Sequence, residues 1–246
     1  RVFLGTLTLL YRLLFLLYAE ARDLLPAREV RGYFEASLTK LKQRIAEAAG
    51  SINDEVEEKL KKHYREDRYE LYDHLSRLFK IVDKGDPALN VPIYNGGLFL
   101  SGPDEEDDSP EADSARFLNA NKVPDRFLGH AIDLLARDED QKRHDLVFID
   151  FKSLGVRQLG SIYEGLLEFK LRIADQKLAV VKEKGREVYH RFKELEERDQ
   201  ERAERQEQVV KKGQGYLEND KRERKATGSY FTPDHIVKYI VEHAVG

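Results

Sequence analysis

The run Val2-Phe3-Leu4-Gly5-Thr6-Leu7-Thr8-Leu9-Leu10-Tyr11-Arg12-Leu13-Leu14-Phe15-Leu16-Leu17-Tyr18-Ala19 is followed at once by Glu20 and Arg22, and its reading decides the fold. Its length is that of a membrane span, which needs about 20 predominantly apolar residues. Its details argue otherwise. Arg12 lies at its middle, where a charge in lipid is costly, and Gly5, Thr6 and Thr8 dilute its first turns. We read it as a helix buried in a helical core, and expect no membrane partner.

Working outward, the same helical periodicity recurs. Val2 to Leu25 is expected as one helix ended by Pro26, and Glu29 to Ala49 as a second, with Phe34, Leu38, Leu41 and Ile45 on one face and Gly50 closing it. Ser51 caps a third pattern through Val56, Leu60, Leu71, Leu75, Leu78 and Phe79, ended by Gly85-Asp86-Pro87. Leu89 to Leu100 reads as a loop, with turn chemistry at Asn95-Gly96-Gly97. The acidic stretch 101–114, containing Asp104-Glu105-Glu106-Asp107-Asp108, reads as a mobile surface loop rather than a DNA mimic. Pro124 to Ala136 returns to helix, Leu146 to Phe151 reads as a short strand or tight turn, and Val156 to Ile173 as helix. Leu178 to Val181 resembles a strand entering a turn at Lys184-Gly185. Phe192 to Gln208 reads as a solvated helix laced with ion pairs such as Glu201/Arg205, and Gly213 to Thr227 as a hairpin around Glu218-Asn219-Asp220.

The fold expected is therefore mainly α. A helical connector domain spans 1–175, and a second region, 176–246, holds the charged helix, the β-hairpin and the start of a further domain. Composition agrees: 41% of the 246 residues are hydrophobic and 36% charged, as suits helices with long solvated faces. A net charge of −4 lacks the basic signature of a nucleic-acid binder, so any DNA contact must be local. With no cysteine there is neither disulfide nor thiolate metal site, which is compatible with a cytoplasmic home. The seven histidines are scattered without metal-ligand spacing.

The end of the chain carries the most specific wording, Gly228-Ser229-Tyr230-Phe231-Thr232-Pro233. Thr232 suits an N-cap and Pro233 a first helical position, with Ile236, Val237, Ile240 and Val241 following at helical spacing. Amides at such an entry can hold an anion such as a carboxylate. The segment resembles the cofactor motif that opens the catalytic domain of adenine-N6 DNA methyltransferases. Pro92-Ile93-Tyr94-Asn95-Gly96-Gly97-Leu98-Phe99, Leu159-Gly160-Ser161-Ile162-Tyr163-Glu164-Gly165-Leu166-Leu167-Glu168 and Tyr11 to Arg22 resemble stretches that precede it in fused type IIG restriction–modification enzymes and BREX phage-defence methyltransferases.

The resemblance implies S-adenosylmethionine as cofactor, bound by Tyr230, Phe231, Thr232 and Pro233, with Thr232 and nearby backbone at its carboxylate and Tyr230 and Phe231 as walls. It implies double-stranded DNA, and partner subunits of a defence system, as partners. It also implies that the catalytic residues lie elsewhere: no Asn-Pro-Pro-Tyr/Phe segment, which in this family grips the target adenine, follows the motif. The chain is expected to be a fragment ending at the first helix of an α/β methyltransferase domain, and to be inactive alone.

Two other readings stand beside this one. Asp150-Phe151-Lys152, with Asp138 or Asp145 upstream, has the outline of a Mg²⁺-dependent nuclease site. A non-catalytic helical scaffold is the third. Lys221-Arg222-Glu223-Arg224-Lys225 is the best local basic patch, suited to phosphate.

Overall fold

The structure, a computed structural model, describes residues 2–28, 32–94, 96–140, 142–183, 186–206, 208–219 and 242–243. The protein is mainly helical with small antiparallel sheets. It forms two compact units, Arg1–Leu154 and Gly155–Gly246.

The first unit is built around α1 (Val2–Ala21), whose Leu13, Leu14, Leu16, Leu17 and Ala19 are buried. Length and composition alone would let this helix cross a membrane. Here it is the core helix of its unit, packed against neighbouring helices. It stops at Ala21 rather than Leu25. Asp23 takes a left-handed φ of 59°, Leu24 N–H donates to Ala19 O at 2.9 Å and Asp23 N–H to Glu20 O at 3.4 Å. That double closure satisfies the last carbonyls, and Pro26 disfavours any helical continuation at Leu25.

The expected helix from Glu29 to Ala49 is broken. A single turn, α2 (Tyr33–Ala36), precedes Ser37, whose extended backbone (φ −68°, ψ 154°) starts α3 (Leu38–Ala49). Ser37 Oγ accepts from Lys40 N, and the buried Glu20 accepts from Leu38 N at 2.9 Å and Thr39 N at 2.6 Å. Three amides at the helix start are thereby satisfied, which pins the break. Glu29 itself lies outside the described residues.

The third pattern also divides, into α4 (Asn53–His63) and α5 (Glu70–Lys84). The start of α5 is capped from afar: Asp125 accepts from Glu70 N at 3.0 Å and Leu71 N at 2.8 Å. Gly85 ends α5 with φ 71°, a conformation that other residues resist, and a side chain there would meet Ile93 N at 3.0 Å.

The acidic stretch is partly helical. Ser109 caps α6 (Pro110–Ala120) by accepting from Ala112 N, so the helix begins inside the expected loop. Arg116 straps the preceding segment down by donating to Asp104 O at 2.7 Å and Asp107 O at 2.6 Å. Then α7 (Asp125–Ala136) leads into β1 (Arg137–Glu139), paired antiparallel with β2 (Leu146–Phe148).

In the second unit α8 (Val156–Leu167) ends six residues before the expected Ile173. Phe169–Ile173 is instead β3, antiparallel to β7 (Gly215–Asn219). The alternation Phe-Lys-Leu-Arg-Ile suits a strand once a partner exists. The first arm of the hairpin expected over Gly213 to Thr227 is thus a strand, β7; 220–227 lie outside the described residues. The strand at Leu178 holds: β4 (Leu178–Glu183) pairs with β5 (Arg186–Arg191) and with β6 (Val209–Val210). The charged helix is shorter than expected, α9 (Glu197–Arg205), with the Glu201–Arg205 pair at 3.2 Å. Its one buried residue, Ala203, closes a small core with Ala179 and Phe192.

Candidate functional site

The expected cofactor residues Tyr230, Phe231, Thr232 and Pro233 lie outside the described residues, as do Lys221 to Lys225 and most of the helix expected from Asp234. Apart from Asn95, the other stretches of the ordered set are described. Tyr11 to Ala21 lies on α1, and Leu98 to Leu100 packs onto it. Arg12 donates to Leu98 O at 2.7 Å and Leu100 O at 2.9 Å. Phe99 is buried edge-on to Phe15 at 5.3 Å and tilted against Phe79 at 5.8 Å. Burial lowers the Arg12 guanidinium to about 10, with Tyr72 and Asp83 pulling it back, so it stays charged at neutral pH. The third stretch, Leu159 to Glu168, falls on α8 and its C-cap, with Leu159 and Gly160 buried.

Asp150 is not assembled into a metal site. Its Oδ1 accepts from Lys152 N at 3.0 Å and Ser153 N at 3.3 Å, closing an exposed turn that follows β2. Asp138 lies across from Val147 on β1, and its Oδ1 accepts from Glu139 N. Among the described residues no group of three or more histidine or carboxylate side chains is placed to hold a metal ion.

The site that the fold does assemble was not legible as a motif. A cleft of about 610 Å³ in the first unit is lined by Arg44 from α3, Arg65 and Arg68 from the turn between α4 and α5, and Arg77 and His74 from α5. That volume is in the range of small-ligand sites, about 300–1,000 Å³. Leu41, Leu71 and the half-buried Tyr64 give it an apolar floor. Of its acids, Asp125 is occupied by the α5 amides, and Asp73 pairs with Lys122 at 2.7 Å. Arg65 is held by Asp67 at 2.7 Å, while Arg44 and Arg68 form no ion pair among the described residues. Arg77 reaches the carbonyl of Asp73 at 3.3 Å.

His74 reports the local field. Its Nε2 lies 2.8 Å from Ala36 O, which fits a neutral ring donating from that nitrogen. Burial lowers its pKa first, and the positive charges of Arg77 and Arg44 lower it further. The signal in the sequence was only four arginines spread between 44 and 77. Nothing in that spacing says that they converge.

No family model, curated protein or solved structure matches the chain.

Proposed function

We propose that the chain belongs to a DNA-modifying enzyme that moves a methyl group from S-adenosylmethionine to adenine N6, and that it supplies the helical connector and the first cofactor motif. The observation that carries this reading is the ordered set of four stretches ending at Gly228-Ser229-Tyr230-Phe231-Thr232-Pro233. The packing of Pro92 to Phe99 against Tyr11 to Arg22 is consistent with it, since two of the stretches act as one structural element.

The residue types of the motif suit the cofactor's chemistry. A threonine hydroxyl and the amides of the helix entry that the sequence leads one to expect at Thr232-Pro233 would favour a carboxylate, and Tyr230 and Phe231 would offer apolar walls for the rest of the molecule. When bound, S-adenosylmethionine would supply the activated methyl group. The target adenine would have to leave the duplex, because its amine is stacked and paired there. A cytoplasmic location and partner subunits of a phage-defence assembly belong to the same proposal.

The test is labelled methyl transfer to unmodified DNA by the protein in its natural reading frame, wild type against Thr232→Ala. Losing one hydrogen bond to a charged group costs about 1.5–3 kcal/mol, so cofactor affinity should fall about ten- to a hundredfold. Transfer to adenine with that loss supports the reading. A wild-type protein that neither binds the cofactor nor methylates DNA overturns it.

A further inference from the structure

We draw no further inference here: the strongest candidate, the apolar face of the β3–β7 ribbon on which the exposed Leu171 and Leu217 stand opposite each other with Ile173 beside them, carries nothing because nothing in the structure shows what covers it.

Discussion

At the scale of single residues, the first unit is held by charges placed where a hydrophobic core would not need them. Glu20, fully enclosed, accepts from Tyr33 Oη at 2.8 Å as well as from the amides of Leu38 and Thr39. Asp133 and Arg137 form a buried two-point pair at 2.8 and 2.9 Å, and Arg137 also donates to Gly50 O at 2.6 Å. Each ties a helix end to another element. Removing one member strands buried donors, so Glu20→Ala and Asp133→Ala should each cost about 3–5 kcal/mol in denaturant unfolding. A loss below about 1 kcal/mol would show that water reaches these groups. Glu20 adds a pH dependence. Burial pushes its carboxyl up, against the hydrogen bonds from Thr39, Tyr33 and Leu38 that favour the ion. The native state then keeps the proton to higher pH than the unfolded chain does. Stability from this group falls as pH rises from the usual carboxylate range, about 4.3, through the raised native value. Glu20→Gln should flatten that part of the stability–pH curve, and an unchanged slope would mean that another group carries it.

At the scale of elements, the legible parts were those governed by local chemistry. The apolar face of α1 and the glycine stops at Gly50 and Gly85 stand in the sequence as they do in the fold. Breaks set from a distance were not legible. Nothing near Ser37 announces that Glu20 will cap α3, and nothing near Glu70 announces Asp125. Likewise Phe169–Ile173 continues a helical pattern until β7 arrives from a distant part of the chain to pair with it. Gly5 shows how closely elements meet. It is the fourth residue of α1, and a Cβ there would sit 2.8 Å from Cε1 and 3.2 Å from Cγ of Phe117 on α6. Alanine is the better helix former by about 1 kcal/mol, but the ring must move bodily, and overpacking costs about 1–3 kcal/mol. Gly5→Ala should therefore lower the melting temperature, and adding Phe117→Leu should recover part of the loss. A stabilised single variant would show that α1 and α6 have room to part.

At the scale of the whole molecule, function was harder to read than fold because the cleft is a product of tertiary packing. Arg44, Arg68 and Arg77 acquire meaning only once α3 and α5 bring them to one cavity, whereas Tyr230 to Pro233 could be singled out from adjacent letters alone. The cleft also lies wholly within Arg1–Leu154, so its fate follows that unit. The partners of Arg12, Glu20, Asp125, Asp133 and Arg137 all fall in the same span. So does the end of the unit, where Arg22 donates to Leu154 O at 3.0 Å and Phe151 is buried. A cut after Leu154 severs none of these links. A polypeptide of residues 1–154 should keep strong helical circular dichroism and unfold in one cooperative transition, as domains of about this size do. Its midpoint should lie within a few degrees of the matching transition in the full chain. A fragment with helical signal but no cooperative transition would be a molten state, and would mean that the second unit completes the core of the first.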